Sequence, residues 1–312
     1  MQLTRTNATI QDELTHSSRE TRQDTRGRAL TYLSIGVVVV LVVAIIYFIA
    51  ARGVATFTTN HVTLSEFFGT NWQPTATDSN GRPEVGALPM MVTSFSVTIL
   101  AALVATPFAL SVAMFMTDIA ERRGAKLLQA VIELLVGIPS VVYGFIGLTV
   151  VVPFLRRLAG GTGFGILAGT IVLCVMVLPT ITSLAAASIR AVPLSLRQAS
   201  YAMGATRWQT LRKVVLRAAT PGIITAIILG MARAFGEALA VQMVIGNTTV
   251  LPRGLFTPTS TLTSTLTTEM GNTVPGTLQN NVLWSLALIL LAMSLVFNLL
   301  VRLVGRKGAL PS

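Results

Sequence analysis

Residues 29–51 read ALTYLSIGVVVVLVVAIIYFIAA, a run of 23 residues without a charged side chain. The hydrocarbon core of a bilayer is about 30 Å thick, and roughly 20 helical residues span it. The run is also longer than the apolar region of a cleavable signal peptide, which takes about 7–15 residues. It therefore predicts a helix that stays in a membrane.

Five further apolar segments have the same character. Each is too long for a strand of a transmembrane barrel, which needs about ten residues, whereas a helix satisfies its own backbone polar groups in lipid. The sequence therefore predicts an all-α polytopic membrane protein with six transmembrane helices. These lie near residues 30–51, 90–116, 130–155, 165–189, 220–246 and 282–303.

The composition excludes several other classes of protein. The chain is 52% hydrophobic and 11% charged, with a mean hydropathy of +0.71, whereas soluble domains are about 25% charged. Two His and one Cys argue against an all-protein metal site and against a disulfide framework. The net charge of +11 would indicate nucleic-acid binding only if the cations clustered on a soluble face.

The cations instead follow the predicted topology. With the N-terminus inside, 17 of the 23 Lys and Arg residues fall in inner segments and five in outer loops, while Arg233 lies within a span. Inner loops of membrane proteins carry such an excess of Lys and Arg. We therefore expect a multi-pass protein of the cytoplasmic membrane with both termini inside, in contact with membrane lipid and with no nucleic acid.

The spans divide the chain into a core and its connections. We predict a cytoplasmic tail at 1–28, a first transmembrane helix at 29–52, an outer loop at 53–88, a five-helix core at 89–305 and a cytoplasmic tail at 306–312. The core contains an inner loop at 190–217 and an outer loop at 247–281.

The outer loop at 247–281 contains a segment rich in hydroxyl side chains. Nine of the twelve residues 257–268 are Thr or Ser, a composition typical of a linker. However, Leu262, Leu266 and Met270 recur every four residues, which favours a short surface or re-entrant helix over disorder.

The inner loop at 190–217 holds six basic residues and no acid. Pro193 can open a helix, Gly204 can end it, and Thr206 with Gln209 forms a capping box for a second helix. Two interpretations remain open on these grounds alone: a basic segment on anionic lipid, or a helix that docks in the groove of a cytoplasmic partner.

Two charges interrupt the fifth predicted span. If Pro221 opens that span, Arg233 lies twelve residues further on, about 18 Å into the membrane. Glu237, four residues later, would lie on the same helical face and could pair with it. A structural ion pair is the simpler interpretation. Because apolar replacements are often as stable, we favour a role for Arg233 and Glu237 in a solute path.

Prolines interrupt three of the predicted spans. Helix kinks are the default explanation of Pro107, Pro139 and Pro179, and gating hinges come second. Glu133 begins the predicted third span, close to the inner interface, where a solvated structural role is as well supported as a functional one.

The inner loop resembles the conserved cytoplasmic loop of ABC importer permeases. That family's pattern is Glu-Ala-Ala, three residues, Gly, nine residues, Ile, one residue and Leu-Pro, and the spacing holds here although Gln198 replaces Glu and Arg217 replaces Pro. The resemblance implies a coupling helix gripped by a separate ATP-hydrolysing subunit. Its coupling residues would be Gln198, Ala199, Ser200, Ala202 and Gly204.

Two longer motifs narrow the resemblance. Residues 137–145 read GIPSVVYGF, similar to both permeases of phosphate ABC importers, and residues 232–241 read ARAFGEALAV, similar to the PstC-type subunit. The resemblance implies the type I, MetI-like permease fold and a path containing Arg233 and Glu237. It also implies three kinds of partner: a PstA-type permease, two PstB-type ATPases and a PstS-type phosphate-binding protein.

The chain itself is not expected to be an enzyme. No GxxxxGK[ST] phosphate-binding loop occurs in it, so ATP and Mg²⁺ would bind to the partner ATPase, and no cofactor, catalytic residue or metal ligand is expected here. Other possibilities are a permease for sulfate or molybdate and an ion-coupled carrier. A membrane enzyme is least favoured, because no nucleophile–base or metal constellation is evident.

Overall fold

The computed structural model describes residues 19–77, 81–120 and 122–307. Contacts divide the chain into two units, residues 1–51 and 52–312. Six helices of the described residues are long and apolar enough to cross a membrane, which confirms the predicted number. They are Arg26–Thr58, Leu88–Ile119, Ser140–Ala159, Ile166–Arg190, Arg207–Phe235 and Leu278–Leu303.

The first span belongs to a long helix, α1 (Arg19–Thr58), that extends beyond the predicted 29–52. Part of the predicted tail 1–28 is therefore helical, and residues 1–18 lie outside the described residues.

The outer loop predicted at 53–88 contains regular secondary structure. It contains a one-turn helix α2 (Leu64–Phe67) and the antiparallel strands β1 (Trp72–Thr77) and β2 (Pro83–Val85). Buried Phe67, Trp72 and Val85 pack in one cluster with Leu283 and Leu286 from the last span. The all-α prediction therefore needs one exception, a hairpin held by this packing.

The second span consists of α3 (Leu88–Met114) and a π-helical turn at Phe115–Ile119. Its main partner is α7 (Ile166–Arg190). Ala101, Ala105 and Ala109 are completely buried in the cluster that joins the two helices. Small side chains allow helices to approach closely, and this packing is what associates helices in lipid.

The third span differs from the predicted 130–155. Residues Arg122–Gly137 form a separate helix α4, and the span itself consists of α5 (Ser140–Ile146), a π-helical turn and α6 (Val152–Ala159). Pro139, at ψ 139°, is the N-cap of α5. A proline disfavours helical backbone in the residue before it, so Pro139 separates two helices instead of bending one. Glu133 consequently lies in α4, where its carboxylate accepts a hydrogen bond from Gln129 at 2.8 Å.

The inner loop contains the predicted helix–turn–helix. Helix α8 (Leu194–Ala202) follows Pro193, Gly204 has φ +77°, and both hydrogen bonds of the Thr206–Gln209 capping box are present. The second helix does not stop at Pro221. It runs through α9 (Arg207–Thr210), a π-helical turn at Leu211–Val215 and α10 (Leu216–Phe235), with Pro221 inside α10. Transmembrane helices tolerate an internal proline.

The fifth span is broken, contrary to the predicted continuous segment 220–246. After α10 the chain leaves the helix and resumes it in α11 (Leu239–Ile245). The threonine-rich outer segment then forms α12 (Leu262–Glu269), as its four-residue apolar repeat predicted, and Thr261 caps it. The last helix is α13 (Leu278–Lys307).

Two glycines of the third span permit its close contact with neighbouring helices. A Cβ at Gly144 would lie 2.8 Å from Ala240 Cα, and one at Gly147 would lie 2.5 Å from Val172 Cγ2. Both distances are shorter than van der Waals contact, so the third span approaches α7 and α11 only because these positions lack side chains.

We expect Gly144→Ala to lower the melting temperature of the purified protein, because overpacking costs about 1–3 kcal/mol. Gly137→Ala is the matched control, since a Cβ there meets no atom within 4 Å. Thermal unfolding in detergent measures both variants. Equal melting temperatures for wild type and both variants would show that the helices do not pack this closely.

Candidate functional site

The fifth span is interrupted between α10 and α11. Helix α10 ends at Phe235, and the last turn closes through hydrogen bonds from Gly236 N to Ala232 O (3.3 Å) and from Glu237 N to Ala234 O (3.2 Å). Irregular backbone at membrane depth is tolerated only where protein buries it or where it lines a water-filled cavity. The break therefore marks a candidate solute path.

Arg233 lies in the last turn of α10, where the helix dipole favours a cation. Its guanidinium donates a hydrogen bond to Thr180 Oγ1 at 3.1 Å, and the side chain is exposed on the surface of this chain. Thr180 follows Pro179, which is internal to α7. An Arg facing lipid would be costly, and intramembrane charges normally face a bundle interior or water. This face of α10 is therefore suited to another subunit or to an aqueous path.

The predicted ion pair between Arg233 and Glu237 is absent from the described residues. Glu237 Oε1 instead accepts a hydrogen bond from Ala240 N at 3.2 Å, in the first turn of α11. The prediction assumed a continuous helix, in which residues four apart lie on one face. Because α10 ends at Phe235, that relation does not apply, and the two charges have different partners.

Hydroxyl groups lie around Glu237, on the α11 side of the break. Thr263 Oγ1 donates to the carbonyl oxygen of Glu237 at 2.8 Å. Glu237 also lines a narrow cavity with hydroxyl side chains from α3 and from the outer segment: Ser94, Thr98, Thr261 and Thr263. Sequence reasoning missed these residues. The cluster of Thr and Ser at 257–268 was the available signal, but such a composition is more typical of a linker.

The outer segment is fixed to α3 by hydrogen bonds between buried groups. Thr93 Oγ1 and Thr259 Oγ1 are 2.8 Å apart, and Leu262 N donates to Ser94 Oγ at 2.9 Å. Thr265 Oγ1 is buried without a hydrogen-bond partner among the described residues. The segment is thus a buried polar layer beside the broken span.

The predicted coupling residues lie together on one exposed element. Gln198, Ala199 and Ala202 of α8 are exposed, as is Gly204 in the turn that follows it. Ser200 is partly buried, and its Oγ lies 2.8 Å from Thr210 Oγ1.

Apolar side chains add to this exposed surface. Met203 is 87% exposed and Leu194 66% exposed, and Tyr201 and Trp208 are also exposed. An exposed helix with apolar side chains is well suited to docking in a partner's groove.

Two further site predictions concern hinges at prolines and metal ligands. Pro179 is internal to α7 and Pro139 lies between two helices, and a hinge role for either remains a prediction. Across residues 19–77, 81–120 and 122–307, no group of three or more His, Cys, Asp and Glu side chains is placed to hold a metal ion.

Outside the spans, α12 is joined to the hairpin through a half-buried acid. Trp72 Nε1 donates to both carboxylate oxygens of Glu269, at 3.3 and 3.2 Å. Burial raises the pKa of the Glu269 carboxyl, and the hydrogen bond from Trp72 partly offsets that rise. A carboxyl whose pKa is higher in the folded state stabilises the fold at low pH, and this contribution is lost as the pH rises through the folded-state pKa.

We therefore expect Glu269→Gln to flatten the pH dependence of the melting temperature. Wild type should lose more stability than the variant as the pH rises above the ordinary glutamate pKa of about 4.3, as measured by thermal unfolding in detergent. Trp72→Phe should move the wild-type loss to higher pH, because it removes the hydrogen bond that lowers the pKa. Parallel curves for wild type and Glu269→Gln would contradict the expectation.

Comparison with known proteins gives one family and many relatives. The family described as binding-protein-dependent transport system inner membrane component matches residues 105–308. The Bacillus subtilis (strain 168) protein named "Probable ABC transporter permease protein YqgH" is 52% identical over 307 residues, which cover 97% of this chain and 98% of that protein.

Phosphate transport system permease proteins PstC are more distant relatives. The Pasteurella multocida protein is 33% identical over 256 residues (75% of this chain, 77% of that protein), and the Xylella fastidiosa (strain Temecula1) protein is 34% identical over 228 residues (67% and 68%).

Two solved structures show the likeness in fold. A chain of a bacterial ABC transporter for the acidic polysaccharide alginate aligns with a TM-score of 0.62 at 12% identity, covering 94% of this chain and 100% of that one. A chain of the inward-facing methionine transporter MetNI aligns with a TM-score of 0.51 at 24% identity, covering 68% and 93%.

Proposed function

The chain belongs to the family of binding-protein-dependent transport system inner membrane components, and from that membership we propose that it is the PstC-type permease of an ATP-driven phosphate importer. Its fold is that of MetI-like ABC importer permeases, as the resemblance implied. The observation that carries the proposal is Arg233, an exposed cation in the last turn of a broken transmembrane helix. The identity to PstC proteins supports phosphate as the anion.

The proposed assembly contains three further kinds of subunit. A PstA-type permease would cover the face of α10 that carries Arg233, so that the cation lines a path between two subunits. Two PstB-type ATPases would bind ATP and Mg²⁺ and grip α8, and a PstS-type protein would deliver phosphate from outside. The excess of cations in the inner segments supports a cytoplasmic N-terminus and a cytoplasmic α8.

The proposed mechanism is alternating access. Closure of the ATPases on ATP would displace α8 and, through it, the third to fifth spans. Arg233 would attract the released phosphate by charge. Glu237, held at the start of α11, would supply a nearby negative charge that prevents the anion from being trapped.

We expect Arg233→Gln to reduce ATP-dependent phosphate uptake about tenfold or more, because a charge-assisted hydrogen bond contributes about 1.5–3 kcal/mol, and about 1.4 kcal/mol corresponds to a factor of ten. Arg157→Gln, at an exposed cation in the last turn of α6, is the control and should transport normally. Uptake of labelled phosphate into vesicles containing the whole complex measures both variants.

Unchanged uptake by Arg233→Gln at normal expression would contradict the path role. Competition by excess sulfate or molybdate tests the anion, since transport of either in place of phosphate would identify a different oxyanion importer. Uptake that survives ATP depletion would indicate an ion-coupled carrier.

The docking of α8 has a separate test. In a Cys174→Ser background, which removes the single native cysteine, Ala202→Cys or Met203→Cys should crosslink to the ATPase subunit, because both positions are exposed on the docking surface. Leu158→Cys, exposed at the end of the third span, is the control and should not crosslink. Labelling of position 202 or 203 by lipid-phase probes alone would favour the membrane-surface interpretation.

A further inference from the structure

Helix α8 contains no buried residue that could anchor it to the rest of the chain. Seven of its nine residues are exposed, and the two partly buried ones are Arg197 and Ser200. Both side chains hydrogen-bond to residues outside α8. The attachment of α8 is therefore polar and limited to a few atoms, unlike the apolar contacts between the spans.

Arg197 contacts more residues outside α8 than Ser200 does. Its guanidinium forms an ion pair with Asp118 through Nη1, and Nη2 donates to the carbonyl oxygen of Ile189 at 3.1 Å. The second oxygen of Asp118 accepts from Thr117 Oγ1 at 2.8 Å. Both charged side chains are 17% exposed, so solvent screens this pair less than a pair on the open surface.

The partners of Arg197 lie at the ends of two different spans. Asp118 belongs to the π-helical turn that ends the second span, and Ile189 is the penultimate residue of α7. Ser200 contacts Thr210, immediately before the π-helical turn of the fifth span. Turns of this kind occur frequently at functional sites. The contacts of α8 thus reach three spans, and Arg197 alone bridges two of them.

We propose that Arg197 is the positioning residue that transmits displacement of α8 to the second and fourth spans, through its bridge to Asp118 and Ile189. The inference rests on the proposed function in one respect, that an ATPase grips α8. A planar guanidinium can hold a carboxylate and a carbonyl oxygen in fixed relative positions, which an ammonium group does less well. Without the bridge, α8 would move with the ATPase while the second and fourth spans remain in place.

A cysteine at the broken helix tests this without reference to the transported solute. Gly236→Cys in the Cys174→Ser background places a thiol in the break, where a Cβ meets no atom closer than 3.7 Å. In the assembled complex, alternating access should change its rate of modification by a small aqueous thiol reagent when ATP is added. We expect Arg197→Gln and Asp118→Asn to reduce that ATP-dependent change to less than about twofold while the ATPase still copurifies and hydrolyses ATP.

Three variants distinguish transmission from general damage. Arg212→Gln removes an exposed cation of the same loop and should leave the ATP response intact. The reversed pair Asp118→Arg with Arg197→Asp should recover part of the response. Arg197→Lys, which keeps the charge without the planar fork, should give an intermediate response and serves as the decisive variant if Arg197→Gln does not assemble.

A wild-type ATP response in Arg197→Gln, or in Arg197→Lys if only that variant assembles, would overturn the proposal. An equal loss in Arg212→Gln would also overturn it, because the effect would then belong to the charge of the loop. Failure of the wild-type complex to transport phosphate would refute the proposed solute alone, since the thiol measurement does not depend on which anion is carried.

Discussion

Backbone polar groups inside a bilayer must find partners within the protein, and the break between α10 and α11 is where this requirement is hardest to meet. Hydrocarbon offers no hydrogen bonds, so each exposed N–H or C=O would cost several kcal/mol. The protein supplies the partners itself: Thr263 donates to the carbonyl of Glu237, and the Glu237 side chain accepts from Ala240 N. The burial of the threonine-rich segment beside the break follows from the same requirement.

The two ends of the fifth span are attached to the rest of the chain in different ways. Beside the break, buried hydroxyls of the outer segment form hydrogen bonds with each other and with α3. At the other end, α8 is held by an ion pair and two hydrogen bonds. Elsewhere in the core, alanines of α3 pack in one cluster with larger apolar side chains of α7 such as Val172 and Leu173.

Much of the fold could be predicted from the sequence because lipid imposes strong rules on composition. A long uncharged run such as 29–51 is stable in lipid as a transmembrane helix. In the inner loop, Pro193, Gly204 and Thr206 determine where the helices begin and end. Prolines were less reliable signals, because packing against the rest of the protein decides whether a helix begins, bends or continues at them. Pro221 was expected to begin a helix and lies inside one, whereas Pro139 was expected to bend a span and separates two helices.

The candidate site was predicted in part for the same reason. Arg233 and Glu237 were found as charges in an apolar segment. The break between them could not be predicted, because glycine, the residue at position 236, is also common in continuous membrane helices. The hydroxyls of Ser94 and Thr263 come from distant parts of the chain, and only folding brings them near Glu237.

The π-helical turn at Leu211–Val215 has a geometric consequence for the whole fifth span. Such a turn accommodates one residue more than an α-helical turn, and each residue rotates the following side chains by about 100°. Thr210, which contacts Ser200, and Arg233, which faces outward, lie on either side of it. The rotational phase between the end of this helix that carries Thr210 and the end that carries Arg233 is therefore set by a single surplus residue.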